Sequence, residues 1–202
     1  MFHVSGIDMA VATAERADLL FFSLISLAIL PDEGRELVLG LARNVRSNGG
    51  KVAFDSNYRP RLWKSPETAR VWRDRAAAVA DFGLPSLSDE ALLDGTETAQ
   101  TVRDHWLMWG CREVVVKLGA EGILLPDGTV TKPDVQHHAL DTSGAGDAFD
   151  AGYLAARLRG CSPEEAASQG QQLAGWTVMR HGAIPERDHM APYAAMMAQA
   201  AP

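Results

Sequence analysis

The chain has 202 residues, 47% of them apolar and 22% charged, a composition typical of a globular protein with a sizeable core. Its net charge of −7, without a basic run, argues against general nucleic-acid binding, because that function needs Lys and Arg clustered against phosphates. The longest apolar run, residues 19–30, is too short to span a bilayer, and no signal peptide is visible. We therefore expect a cytoplasmic protein that binds no membrane.

Strands and helices alternate along the chain. Apolar runs predict buried strands over residues 18–23, 51–55, 80–85 and 113–119. Helical spacing and helix-start signals predict helices over residues 31–47, 65–79, 89–93, 97–109, 144–159 and 162–180. This alternation predicts an α/β fold with a mostly parallel sheet covered by helices on both faces. No repeat, linker or break in composition marks a second domain, so one domain is predicted for residues 1–202.

Three of these segments carry more detailed predictions. The run 19–30 is interpreted as a buried strand with its following turn. The helix after Pro31 is predicted to bury the apolar residues that recur at helical spacing, namely Leu37, Val38, Leu41, Ala42 and Val45. Residues 121–132 are predicted to form a hairpin around a Pro-Asp-Gly turn.

Cysteine and histidine give no signal for a metal site. Cys111 and Cys161 form no CxxC motif and are interpreted as reduced thiols. The adjacent His137 and His138 are interpreted as polar surface.

A glycine turn, DTSGAGD, opens the predicted helix at residue 144. Glycine lets the backbone approach an anion closely, and the first amides of a helix lack internal partners and carry partial positive charge. Asp147 follows the turn at the place where a nucleophile would approach a bound phosphate, so its carboxylate could accept a proton. The same residues also suit an ordinary helix start, and the motif is not a Walker A loop, because it lacks the Gly-Lys-Ser/Thr ending.

The longer stretch DTSGAGDAFDAGYLAARL closely resembles the signature of the ribokinase-like (PfkB) carbohydrate kinases. The resemblance implies that the amides of Gly144, Ala145 and Gly146 bind the γ-phosphate of ATP and that Asp147 is the catalytic base. It also implies that Asp141 and Thr142 shape the turn beside the nucleotide. Asp150 stands where the family commonly has Asn.

Two further stretches resemble the nucleotide site of the same family. VVVKLGAEGILL is similar to its strand–turn–strand, and the resemblance assigns Lys117, Gly119 and Gly122 to nucleotide binding. LAGWTVMRHGAIP is similar to the helix and turn that border adenine. The resemblance assigns that border to Ala174, Gly175 and Gly182. Taken alone, Gly119 and Gly122 would also suit an ordinary hairpin.

A polar loop, FDSNYRPRLW, follows the predicted strand 51–55, so it lies at a carboxyl end, where α/β sheets place ligands. It resembles the corresponding segment of the 2-keto-3-deoxygluconate kinases within the family, which implies that Arg59 binds a substrate carboxylate beside Asn57 and Tyr58. LPSLSDEALLDG resembles the same group. Its Asp89 stands in an acidic position that the family links to magnesium and phosphate, although a Ser-capped helix start fits these residues equally well.

The resemblance covers residues 19–185 and implies that the family's first strands, its early sugar-binding motif and its β lid are absent from a chain truncated at the N-terminus. An uncovered sheet edge would leave self-association into a homo-oligomer open. The leading hypothesis is a sugar-acid kinase that uses ATP and Mg²⁺. The alternatives are a PfkB kinase for another sugar, of the fructokinase or ribokinase type, and a nucleotide-binding fragment without activity.

Overall fold

The structure is a computed structural model that describes residues 13–133, 138–186 and 188–192. His137 and the tail after Pro192 lie outside these residues. Contacts divide the chain into two compact units, residues 1–116 and 117–202. The single domain expected for residues 1–202 stays a prediction. No helix in the described part is both long and apolar enough to cross a membrane.

The first unit is built on a parallel four-stranded sheet. Its strands follow each other in chain order: β1 (Leu19–Ser23), β2 (Lys51–Asp55), β3 (Phe82–Gly83) and β4 (Glu113–Val114). The apolar side chains of β2 are buried, as expected for a central strand of a parallel sheet. Phe54 of this strand stacks on the fully buried ring of Trp106, with centroids 5.3 Å apart. The predicted mostly parallel α/β architecture is therefore confirmed.

Helices connect these strands and begin at recognisable signals. They are α1 (Leu24–Ala28), α2 (Asp32–Ser47), α3 (Pro66–Ala77), α4 (Leu87–Asp94) and α5 (Ala99–Trp109). Ser65 caps α3 by accepting a hydrogen bond from the Thr68 amide, and Pro66 occupies the first helical position. Gly95 ends α4 in the left-handed conformation that favours glycine.

Two predictions for residues 19–47 need correction. The run 19–30 continues from β1 into the short helix α1 instead of a turn. In α2 the side chain of Leu37 is exposed, whereas Leu39 is buried. Two positions correspond to about 200° of helical rotation, so Leu37 points away from the face that Leu39 shares with Ala42 and Val45.

The predicted strand 113–119 is also not one continuous strand. β4 pairs with β3, whereas β5 (Val116–Lys117) belongs to a second sheet, with β6 (Ile123–Leu124) and β7 (Val130–Thr131). A β-branched run suits either sheet, so its sequence could not reveal where the pairing partner changes.

A buried charge cluster connects α3 to α4 in the first unit. The side chains of Arg73 and Glu90 are each only 2% exposed, and Nη1 of Arg73 lies 2.6 Å from Oε2 of Glu90. The same nitrogen lies 2.7 Å from Oδ2 of Asp94, and the guanidinium also covers the ring of Trp109 at 4.4 Å. Burial raises the pKa of Glu90 to about 7, with Asp94 acting in the same direction and Arg73 opposing it.

The second unit combines the hairpin with a packed helix pair. β6 and β7 are antiparallel, and the amide of Leu125 donates to the carbonyl of Thr129 across their turn, which confirms the predicted hairpin. The helices are α6 (Ala145–Leu158) and α7 (Pro163–Val178). They pack so closely that a Cβ on Gly152 would lie 2.8 Å from the Cα of Gly170. Ser162 and Glu165 form a capping box at the start of α7.

Candidate functional site

The predicted phosphate turn forms the start of α6. Gly144 is its N-cap in the left-handed conformation, with φ +75°. Its carbonyl accepts the Ala148 amide at 2.9 Å, which begins the helix, and the Ala145 amide donates to the carbonyl of Thr142 at 3.2 Å. The turn thus has the compact geometry that brings consecutive amides to the positive end of a helix.

Asp141 holds this turn against a second one. Its Oδ1 accepts the Ser143 amide at 2.9 Å, and its Oδ2 accepts the Gly182 amide at 2.9 Å. These backbone hydrogen bonds, that of Ser143 foremost, lower the pKa of Asp141 to about 2. Asp141 therefore stays ionised throughout the neutral range and connects two segments that the sequence assigned to the nucleotide.

Gly144 has a steric as well as a conformational requirement for glycine. A Cβ there would lie 2.5 Å from the carbonyl oxygen of Ala183, a contact that real side chains do not make. Gly160 has a similar φ of +85°, but a Cβ at that position would meet nothing within 4 Å. Comparing the same substitution at the two positions therefore separates the free-energy cost of a left-handed backbone from the cost of a steric clash.

We expect Gly144→Ala to lower the free energy of unfolding by about 1–3 kcal/mol more than Gly160→Ala, because only the first forces the backbone at Ala183 to move. Urea unfolding of both variants, followed through tryptophan fluorescence, would measure the difference. Equal losses in the two variants would mean that the Ala183 segment yields without cost.

Charged side chains surround the start of α6. Asp147 lies exposed in the first helical turn. Lys117, at the end of β5, places its Nζ 3.0 and 3.1 Å from the two carboxylate oxygens of the buried Asp150. The same Nζ lies 3.6 Å from the position that a Cβ would take on Gly146. The ammonium group of Lys117 therefore lies beside the glycine turn.

The other residues assigned to the nucleotide also lie in the second unit. Gly122 has φ +113° and lies so close to β7 that a Cβ would come within 2.1 Å of the carbonyl oxygen of Thr131. Gly119 and Gly182 have open space where a Cβ would stand. Ala174 and Gly175 are half-buried on α7. Gly119 and Gly182 thus expose backbone without bulk, as contact with a flat or anionic ligand requires, whereas Gly122 is buried against β7, so packing within the hairpin already explains a glycine there.

In the first unit, the polar loop starts where β2 ends. Asp55 and Ser56 are buried, and Asn57 adopts a positive φ of 23°, which is uncommon for any residue but glycine. The amide of Asn57 donates to Oδ1 of Asp55 at 3.3 Å. Its own Oδ1 is buried and has no hydrogen-bond partner among the described residues. A strained residue with an unsatisfied acceptor is typical of a ligand site.

Arg59 extends from the same loop with 53% of its side chain exposed. Nη1 donates to the carbonyl of Tyr58 at 2.8 Å and lies 3.4 Å from Oδ1 of Asp89. The pKa of Asp89 is raised, mainly by burial. Tyr58 itself is 2% exposed, so in this loop it presents its carbonyl to Arg59 while its ring is buried. The Tyr58 carbonyl and Asp89 thus orient the guanidinium, while about half of the Arg59 side chain stays exposed to solvent.

Two partnerships were missed by sequence reasoning. Asp89, which resemblance links to magnesium, faces Arg59 across 30 positions of sequence, and Asp150 pairs with Lys117 across 33. Contacts at such separations leave no periodic signal. The one available hint was Asp150 itself, because an acid in place of the usual Asn implies a compensating cation nearby.

The comparisons with known proteins cover most of the chain. The model of the family described as pfkB family carbohydrate kinase matches residues 6–189. The 2-dehydro-3-deoxygluconokinase of Escherichia coli (strain K12) is 42% identical over 179 residues, which are 86% of this chain and 58% of that protein. The chain therefore spans less than two thirds of the length of this relative.

Solved structures resemble the fold. Aminoimidazole riboside kinase from Salmonella enterica, solved with aminoimidazole riboside and an ATP analogue, superposes with a TM-score of 0.74 and 32% identity, over 82% of this chain and 57% of that one. Ribokinase from Thermotoga maritima has a TM-score of 0.65 and 26% identity, over 92% of this chain and 59% of its own. These likenesses confirm the predicted ribokinase-like fold.

Proposed function

Because this chain belongs to the pfkB family of carbohydrate kinases, we propose that it acts in the ATP-dependent phosphorylation of a sugar acid, 2-keto-3-deoxygluconate, to its 6-phosphate. The observation that carries the choice of substrate is the loop after β2, where an exposed guanidinium stands two positions from an unsatisfied amide oxygen. The E. coli relative is named for the same compound, as 2-dehydro-3-deoxygluconokinase.

In this proposal, Arg59 binds the carboxylate of the substrate. Its planar guanidinium can donate two parallel hydrogen bonds to a carboxylate, and Asp89 orients it from one side. Oδ1 of Asn57 accepts a hydrogen bond from a substrate hydroxyl, which satisfies a buried atom that has no partner in the described part of the chain. Tyr58 supports the loop. A neutral sugar has no charged group that would pair with the Arg59 guanidinium, so this loop favours a sugar acid as the substrate.

The second unit supplies the groups for transfer. The turn of Gly144, Ala145 and Gly146 binds the terminal phosphate of ATP through backbone amides and the helix dipole. Asp147, exposed one position after the turn, accepts the proton of the attacking hydroxyl. Positioning and charge stabilisation contribute most of the rate in phosphoryl transfer, so a rigid turn tied down by Asp141 suits the task.

The remaining glycine turns serve the nucleotide. Gly119 borders the phosphates with bare backbone, Gly122 lets this turn pack against β7, and Ala174, Gly175 and Gly182 leave room for the adenine ring. Thr142 and Lys117 line the phosphates beside the turn. Bound Mg²⁺ would neutralise phosphate charge, and Asp89 is the residue predicted to take part in its network.

The test compares substrates in a coupled kinase assay with ATP and Mg²⁺. We expect phosphorylation of 2-keto-3-deoxygluconate in preference to ribose or fructose. Arg59→Ala should lower kcat/KM for the sugar acid by about 10–100-fold, because the charge-assisted hydrogen bonding to its carboxylate is lost. Arg61→Ala, which removes an exposed arginine from the same loop, is the matched control.

Other outcomes point to the alternatives. Preference for a neutral sugar would indicate a fructokinase or ribokinase type of activity. An Arg59→Ala variant that keeps the preference for the acid would contradict the role of Arg59. Binding of ATP without transfer to any of these sugars would indicate a nucleotide-binding fragment.

A further inference from the structure

The ion pair between Lys117 and Asp150 is unusual for its burial. The side chain of Lys117 is 10% exposed and that of Asp150 is 2% exposed, and both carboxylate oxygens lie within hydrogen-bond distance of the ammonium. Removing two charges from water is costly, and an apolar pair would often be as stable. Fold stability therefore gives no sufficient reason for placing charges here.

The position of the pair suggests another reason. Gly146 and Asp150 are four residues apart on α6, so they lie on the same face, one turn from each other. The ammonium lies at the level of Gly146, 3.6 Å from the site of a Cβ, while the carboxylate that holds it comes from the next turn. The positive end of the ion pair therefore points to the N-terminus of the helix, in the same sense as the helix dipole.

We propose that Asp150 is a positioning residue that holds the Lys117 ammonium beside the glycine turn, where it increases the attraction of this turn for the phosphates of ATP. The inference rests on the proposed function of the turn as a phosphate site. It gives Asp150 a role that an Asn could fill only in part, because an amide oxygen accepts a hydrogen bond but brings no charge to hold the ammonium.

The pair also connects two segments assigned to the nucleotide. Lys117 ends β5, separated by one residue from the turn of Gly119–Glu121, and Asp150 belongs to the helix that begins at the phosphate turn. A contact between the two side chains fixes the spacing of these segments. Replacing either partner alone leaves the other charge buried without it, so a loss of binding in a single variant could reflect damaged folding.

The double variant Lys117→Met/Asp150→Asn removes both charges at nearly constant shape and avoids this problem. Isothermal titration with ATP–Mg²⁺ and, separately, with adenosine would be carried out on the wild type, Asp150→Asn and the double variant, after thermal unfolding has shown that each is folded. We expect the double variant to bind ATP about 10–100-fold more weakly while its affinity for adenosine changes less than about twofold. The affinity of Asp150→Asn for ATP should lie between that of the wild type and that of the double variant.

The outcomes separate the inference from the proposed function. A folded double variant that binds ATP as the wild type does, or that loses ATP and adenosine by the same factor, would overturn the electrostatic role of the pair and leave the phosphate site in place. Asp150→Asn with wild-type affinity for ATP would overturn the positioning role of Asp150. A folded wild type that binds no ATP at millimolar concentration would overturn both the inference and the proposed site.

Discussion

Asp147→Asn is expected to slow phosphoryl transfer by about 10²–10⁴-fold while the affinity for ATP stays nearly unchanged. Asn keeps the shape of the side chain and its place in the first turn of α6, but it cannot take the proton of the attacking hydroxyl. The amides of the preceding glycine turn remain, so binding of the phosphates should persist. A selective loss of kcat would therefore identify the group that acts on the proton.

Steady-state kinetics with 2-keto-3-deoxygluconate, together with an ATP titration, would measure both quantities. Glu164→Gln is the matched control, because Glu164 is likewise an exposed acid in the first turn of a helix, α7, where it is assigned no chemistry. If both acids only stabilise helix starts, each variant should lose a few tenths of a kcal/mol of stability and no turnover. Unchanged turnover in Asp147→Asn would contradict its role as base.

Arg73→Ala is expected to lower the free energy of unfolding by about 3–5 kcal/mol, because it removes the cation from a buried cluster. The guanidinium lies between Glu90 and Asp94 and donates from Nε to Asp74 at 2.9 Å. Without the guanidinium, the Glu90 side chain, which is 2% exposed, stays buried and loses its closest charged partner. Arg75→Ala on the same helix is the control, since its ion pair with Glu36 is half-exposed and is screened by solvent.

The destabilisation should also depend on pH in a defined direction. The pKa of Glu90 is raised by burial from 4.5 to about 7 in the folded protein, so the folded state holds a proton more readily than the unfolded state. The stability that the folded protein gains from protonated Glu90 is therefore fully present below about pH 4.5 and is lost as the pH rises through 7. Removing Arg73 raises this pKa further.

Urea unfolding at pH 5 and pH 8 would test the direction. The difference between wild type and Arg73→Ala should be larger at pH 8, because Glu90 can avoid an unpaired charge by taking up a proton at pH 5. In a Glu90→Gln background the pH dependence of this difference should disappear. A difference that is the same at both pH values would mean that Glu90 does not titrate within this range.

Local signals account for what sequence alone determined. Ser162, Pro163 and Glu165 specify the start of α7, and Gly144 with its acidic neighbours specifies the start of α6, because caps and left-handed turns depend on a few consecutive residues. The Pro-Asp-Gly turn specifies the hairpin for the same reason. The glycine-turn signature was also enough to identify the family, whose model matches residues 6–189.

Only the tertiary structure decided which side chains face each other. The exposure of Leu37, the change of sheet within residues 113–119, and the pairings of Arg59 with Asp89 and of Lys117 with Asp150 depend on residues distant in sequence. Burial and charge pairing are set by the direction from which a neighbouring element approaches, and sequence periodicity carries no record of that direction. Sequence therefore located the residues that are proposed to do the chemistry, and folding determined which charges lie beside them.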